Sequence, residues 1–259
     1  MDFLWTLSGL RTPAVTAILG FITHFGEETI TLVIVCMLYW CYNKDLGIRM
    51  ASSMFLSGAL VQNAKVTFRI ERPWVIDPSF TPVDSALEQA TGYSFPSGHT
   101  QTATSIYGTL LMFFKSIWLK IAAAILILAV AFSRLYLGVH TPLDVSVGFF
   151  IGLVITVLVN LYYNTYKEGE DDKNRKKDMA MMILMIVFGI FSIAYAYILY
   201  SNGTVELVYA TDAAKQSGAM IAFGIGAYIE RCKVNFDIPE GAVKKILVAV
   251  IGLAGALAI

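Results

Sequence analysis

The chain has 259 residues, 57% of them hydrophobic and 15% charged, with a mean hydropathy of +0.66. Soluble domains carry about 25% charged residues, so this composition excludes an ordinary soluble domain. Nineteen basic residues balance nineteen acidic ones, which leaves no bulk positive field and argues against a nucleic-acid partner.

The apolar residues come in long blocks, so the expected fold is all-α, a polytopic transmembrane helical bundle. A bilayer-spanning helix takes about 20 apolar residues. The first block, 12–24, is short. Pro13 suits its first turn, and the block reads as a thin span, a tilted span or a helix lying in the interface. Longer candidates follow at 28–43, 47–68, 99–115, 118–137, 141–163, 179–200, 213–230 and 242–259, which makes eight or nine helices. No cleavable signal is expected, because the first ten residues lack a basic stretch and a small-residue cleavage site. Cys36, Cys41 and Cys232 lie in or beside apolar blocks without metal-ligand spacing and read as small buried hydrophobes. Residues 166–178, which include KEGEDDKNRKKD, read as a charged cytoplasmic loop. It divides residues 1–165 from three trailing helices in 179–259 that carry no recognisable chemistry.

Polar residues interrupt these blocks in three places. The helix 47–68 leads into Lys65, Arg69 and Arg72. Lys65 and Arg72 are seven residues apart, two helical turns, and so are expected on one face with Arg69 between them. Pro73 marks the exit from that helix. A basic residue deep in hydrocarbon costs about 2.5–3.5 kcal/mol on insertion scales. Two accounts fit such a stripe: snorkelling to the interface, or a phosphate clamp in which Arg offers a planar fork and Lys a point charge. The loop 73–98 follows, with Trp74, Tyr93 and Phe95 as interfacial anchors or as a lip where a lipid enters.

In Pro96-Ser97-Gly98-His99, Ser97 caps a helix that begins near Gly98. The free N–H groups of its first turn would face an anion, Gly98 lets backbone come close, and His99 sits within a turn. The plainer account is a Ser-Gly turn before a membrane helix. The third group is Arg134, His140 and Asp144. Thr141 and Pro142 read as N-cap and first residue of a helix, so Asp144 is expected as a capping carboxylate, as the partner of one His140 nitrogen, or as both. Gly148 and Gly152 share a face with Asp144 and read as close-packing positions for a neighbouring helix.

Lys65-x6-Arg72-Pro73, Pro96-Ser97-Gly98-His99 and Ser133-Arg134-x5-His140-x3-Asp144 together resemble the three signature motifs of the type-2 phosphatidic-acid phosphatase superfamily. No fixed position is missing across residues 65–144. The resemblance implies a six-helix phosphatase core within 1–165 that hydrolyses a lipid phosphate or diphosphate of phosphatidate, sphingoid or polyprenyl type. It implies His140 as the nucleophile that forms a phosphohistidine, Asp144 as its orienting carboxylate, and His99 as acid and then base. Lys65, Arg72, Ser97, Gly98 and Arg134 would hold the phosphate oxygens. Arg69 has no role in the pattern. No cofactor and no metal are expected, since the cationic side chains can neutralise a phosphate by themselves. The expected partners are the lipid substrate and membrane lipids. Vanadium-dependent haloperoxidases share the constellation but are largely soluble. Glucose-6-phosphatase-like enzymes make a soluble sugar phosphate the nearer rival, and a non-catalytic lipid-binding or transport protein is a third reading.

Orientation follows from the distribution of Lys and Arg. If 12–24 spans, the side of the 44–49 loop collects fourteen of the nineteen basic residues and the other side five; if it does not, only Arg11 changes sides. The 44–49 side is therefore expected to be cytoplasmic and the three motifs extracytoplasmic.

Overall fold

The structure, a computed structural model, describes residues 1–257. Its helices are α1 (Asp2–Gly9), α2 (Pro13–Thr23), α3 (Glu28–Cys41), α4 (Lys44–Phe68), the single turn α5 (Pro73–Ile76), α6 (Gly98–Phe113), α7 (Ile117–Tyr136), α8 (Pro142–Tyr163), α9 (Asp171–Ser201), α10 (Leu207–Ile229) and α11 (Ala242–Leu257). Among the described residues there is no strand. Every apolar block of the sequence has a helix. The last two residues of the block 242–259 lie outside the described residues. The short helix α1 is not among the elements expected from the apolar blocks.

Helix α4 runs through the middle of the bundle, against α3, α6, α8, α9 and α10. Its Ser52, Ser53 and Ser57 are fully buried, and a Cβ on its Gly58 would collide with Gln216 of α10. Small residues let helix backbones approach, and their hydroxyls bond inside the bundle. Ser57 Oγ lies 2.8 Å from Ser105 Oγ of α6 and accepts from Gln101 Nε2 at 2.6 Å. Among the described residues three helices, α7, α8 and α9, are long and apolar enough to cross a membrane, and most of the apolar stretch of each faces outward. Glycines and hydroxyls sit where helices face one another, along α4 and α6 and on the inward strips of α8 and α9, such as Gly148, Gly152, Thr156 and Ser192.

Helix α2 has 11 residues, about 16 Å at 1.5 Å per residue, against a hydrocarbon core of about 30 Å. Its ends settle how it lies. At the N-terminal end Arg11 donates to Tyr136 O at 3.1 Å and to Thr81 O at 2.7 Å. At the C-terminal end Thr23 accepts from Arg134 Nη1 at 2.7 Å. Tyr136, Thr81 and Arg134 all belong to one end of the bundle, so both ends of α2 are held at that end. Through the turn at His24–Gly26 it meets α3 at a bend of 56°.

The stretch 167–178 departs from the expected loop. Helix α9 begins at Asp171, so most of the charged run forms its first turns. Tyr162 of α8 donates to Lys177 O at 2.7 Å, and Asp178 pairs with Arg231 at 3.3 Å. These contacts hold the emerging helix against its neighbours.

Candidate active site

Four helix ends meet at the end of the bundle where α2 lies: the C-termini of α4 and α7 and the N-termini of α6 and α8. They bring together Lys65, Arg72, Ser97, Gly98, His99, Arg134, His140 and Asp144. Lys65, Arg72, Ser97, Arg134, His140 and Asp144 are all buried.

The two basic residues of the first motif do not share a helical face, as their spacing had implied. Helix α4 ends at Phe68, and Arg69 takes a left-handed conformation with φ 52°. That turn breaks the helical register. It sends the Arg69 side chain outward, where it bonds Val66 O at 3.1 Å, and folds Arg72 back beneath the loop. Arg72 Nε and Nη2 donate to Gly92 O at 3.0 Å and Thr91 O at 2.7 Å, and Nη1 donates to Val139 O at 2.9 Å. Lys65 Nζ donates to Tyr93 O at 2.5 Å. Burial lowers the Arg72 guanidinium to about 10, with Asp144 pulling the other way, so it stays cationic at neutral pH.

Ser97 is the N-cap of α6, and its Oγ accepts from Thr100 N at 3.5 Å. The backbone around it is pressed against α8. A Cβ on Gly148 would collide with Ser97 O, and one on Gly152 would stand 2.8 Å from Gln101 O. These are the close-packing positions the sequence suggested. A Cβ on Gly98 would meet nothing within 4 Å, so the first turn of α6 opens onto free space.

Asp144 fills both of its expected roles. It closes a capping box with Thr141, whose N–H donates to Asp144 Oδ2 at 2.7 Å, and the same oxygen lies 3.4 Å from His140 Nδ1. On the other side of the ring, Arg72 Nη1 stands 3.1 Å from His140 Nε2. A guanidinium only donates, so Nε2 presents its lone pair and Nδ1 carries the proton towards Asp144. Burial and then the charges of Arg72, Arg134 and Lys65 push the His140 imidazole well below its usual value. It is therefore neutral at neutral pH, with its Nε2 lone pair held by Arg72 among cations.

Two residues of the site are not among those the sequence singled out. Ser94, fully buried, donates from Oγ to Asp144 Oδ2 at 2.6 Å and lies 3.5 Å from His140 Nδ1. Its only signal was a small polar residue between Tyr93 and Phe95. Thr23 holds Arg134 Nη1 and had no signal in its own surroundings.

Arg134 Nε and Nη2 and His99 Nε2 are buried without a hydrogen-bond partner. Buried donors are almost always paired. Unpaired N–H groups beside Lys65 and Arg72, with open space at Gly98, fit a tetrahedral oxyanion. Among the described residues no three of His, Cys, Asp and Glu come together.

The family model of the PAP2 superfamily matches residues 46–168. The chain is 30% identical over 156 residues to undecaprenyl-diphosphatase of Sulfolobus acidocaldarius, a match covering 59% of this chain and 69% of that protein. It is 28% identical over 164 residues to phosphatidylglycerophosphatase B of Bacillus subtilis, covering 58% of this chain and 76% of that protein. Among solved structures it is similar to the PAP2-type phosphatidylglycerolphosphate phosphatase from Bacillus subtilis, with a TM-score of 0.55 and 25% identity over 65% of this chain and 86% of the other.

Proposed function

The chain belongs to the PAP2 superfamily and is a phosphatase of that class, and from that premise we propose that it removes the terminal phosphate of a membrane lipid without a metal, through a phosphohistidine on His140. The observation that carries this reading is the set of buried, unpartnered N–H groups of Arg134 and the free Nε2 of His99, next to a neutral His140 whose Nε2 lone pair faces the same cations. A groove of about 680 Å³ beside the site, bordered by Thr12, Thr16, Gly20, Phe21 and Leu137 and reaching Thr23, supports a substrate with an apolar tail.

The chemistry proceeds in two displacements. As phosphate enters, Arg72 Nη1 turns from His140 Nε2 to a phosphate oxygen and releases the lone pair. Nε2 attacks phosphorus while the bond to the lipid oxygen breaks, and His99, which takes up a proton as the phosphate's negative charge enters among the cations, gives that oxygen its proton. Asp144 holds the Nδ1 proton and offsets the positive charge that grows on the ring. His99, now neutral, takes a proton from water; the water oxygen bonds phosphorus, the N–P bond breaks, and inorganic phosphate leaves. Lys65, Arg72, Arg134, Ser97 and the Gly98 N–H hold the other oxygens, as fixed donors aimed at the charge that develops in the transition state.

The phosphatase core is residues 1–165 with six helices: α3, α4, α6, α7 and α8 crossing, and α2 lying at the surface. With α9–α11 the chain crosses eight times, and the site faces away from the cytoplasm. Since α2 does not cross, Arg11 joins the site's side and the basic residues divide thirteen to six, which supports the same orientation.

The deciding experiment is phosphate release by detergent-purified protein across long-chain lipid phosphates, lipid diphosphates and sugar phosphates, with a chelator present. Release from the lipids, unaffected by chelator and inhibited competitively by vanadate, is expected. A strict need for magnesium would remove the metal-free mechanism, and release from sugar phosphates alone would remove the lipid. Orientation is tested by cysteine labelling of intact cells, in a background lacking Cys36, Cys41 and Cys232. An impermeant reagent is expected to modify Ser85→Cys, in the exposed loop beside the site, and to spare Lys173→Cys at the start of α9. The opposite pattern reverses the topology.

A further inference from the structure

Four successive residues, Thr91–Ser94, hold the site together. Thr91 O and Gly92 O accept from Arg72, Tyr93 O accepts from Lys65 Nζ, and Ser94 Oγ donates to Asp144. The backbone N–H of Ser94 is itself fixed to Ile70 O at 2.8 Å. Gly92 has φ +68°, the left-handed region open to glycine, and this turn sends successive carbonyls to two different cations. Both basic residues of the first motif and the carboxylate of the third thus take their positions from one short segment of loop.

That segment is braced from outside the family match. The rings of Tyr93 and Tyr209 lie 4.2 Å apart between centroids and tilt by 31°, and a Cβ on Gly92 would touch the Tyr209 ring at 3.9 Å. Val66, Ala196, Val205, Ala210 and Ala213 are buried around the pair. Tyr209 stands in the first turn of α10, beyond the matched residues 46–168. Helix α10 is in turn seated on α4 by the Gly58–Gln216 contact.

We propose that Tyr209 is a positioning residue for phosphate transfer: by stacking on Tyr93 it fixes the Thr91–Ser94 segment, and with it Lys65, Arg72 and Asp144, in the geometry that receives phosphate. On this account the trailing helices complete the active site. Without the ring, the loop loses the aromatic surface that covers Gly92 and Tyr93. The carbonyls then drift, Lys65 and Arg72 drift with them, and Ser94 no longer steadies Asp144 against His140.

This proposal rests on the chain being a lipid phosphatase, and the experiment separates the two. Wild type, Tyr209→Ala and Tyr209→Phe, each as the full chain in detergent, are compared for kcat, KM and the inhibition constant of vanadate. Tyr209→Ala is expected to lose about 10- to 100-fold in kcat/KM, the scale of a catalytic group displaced by about 1 Å, and to bind vanadate correspondingly more weakly. Tyr209→Phe is expected to match wild type within about twofold, because the Tyr209 ring acts through stacking and its hydroxyl makes no hydrogen bond among the described residues whose loss would be felt. If Tyr209→Ala is not recovered folded, Tyr209→Leu, which keeps apolar bulk without the stacking face, is read on the same scale. A variant that melts earlier but keeps wild-type KM and vanadate affinity overturns the proposal and leaves Tyr209 a packing residue. A wild-type chain that releases no phosphate from any lipid overturns the reading beneath it, and does so before any variant is compared.

Discussion

His140→Ala is expected to abolish turnover, a loss of at least about 10⁴-fold, as when a nucleophile is removed from a site that otherwise remains intact. The variant should fold. His140 sits in the short connection between α7 and α8, and its ring makes one hydrogen bond to Arg72 and longer approaches to Asp144 and Ser94. Losing these leaves Arg72 its three carbonyl acceptors and Asp144 its capping box. His99→Ala is expected to fail differently. The nucleophile remains, but the leaving oxygen has no proton donor and the intermediate no base. With an activated substrate that needs no protonation on leaving, His99→Ala should accumulate an acid-labile, alkali-stable phosphoenzyme. His140→Ala should accumulate none. Label trapped in His140→Ala would move the nucleophile elsewhere. Asp144→Asn should fall between the wild type and His140→Ala and should also melt earlier, since one carboxylate oxygen both caps α8 and faces His140. A change in melting temperature alone would leave Asp144 a cap and nothing more.

The amino-acid sequence made some of this site legible and hid the rest, for reasons of range. Ser97 and Thr141 were readable as caps because capping is local: a short polar side chain, a Gly or Pro next to it and an apolar run behind it. Gly148 and Gly152 were readable because two glycines four residues apart on a membrane helix form a smooth strip that a second backbone can approach. The turn at Arg69 was not readable. Nothing in its neighbours demanded a left-handed residue there, and the two-turn spacing of Lys65 and Arg72 suggested a shared helix face that the fold does not use. The carbonyls of Thr91, Gly92 and Tyr93 are invisible to any reading of side chains, since every residue has one. Tyr209 could not be connected with Tyr93 from the sequence, because the contact exists only once α10 docks on α4. The charged run at 171–178 lacks apolar periodicity and so gives no helix signal of its own. Lys, Arg and Asp are nonetheless compatible with helix, and a helix leaving hydrocarbon continues when neighbours such as Tyr162 and Arg231 give it partners.

Arg134→Met is expected to separate function from stability. Arg134 is fully buried, with one hydrogen bond, to Thr23, and with Nε and Nη2 unpartnered. A buried ion without an ion-pair partner costs several kcal/mol of desolvation that an apolar side chain of similar length does not, while the bond lost to Thr23 is worth about 1 kcal/mol. The variant should therefore melt no lower than wild type, while kcat/KM falls by about 10²–10³-fold, the scale of one missing donor at a developing charge. Vanadate gives the sharper contrast. At a concentration about 100 times its Kd it should stabilise wild type by about 2.7 kcal/mol through mass action. The shift should nearly vanish in Arg134→Met, whose site has lost the guanidinium with unpartnered Nε and Nη2. Arg134→Lys should recover little, because a single ammonium cannot present two parallel donors to one phosphate. An Arg134→Met protein that unfolds early yet still takes up vanadate would make Arg134 a structural tie between α7 and α2. A stable, inactive protein that no longer responds to vanadate is what a residue kept at the expense of the empty fold, for the sake of a bound phosphate, should give.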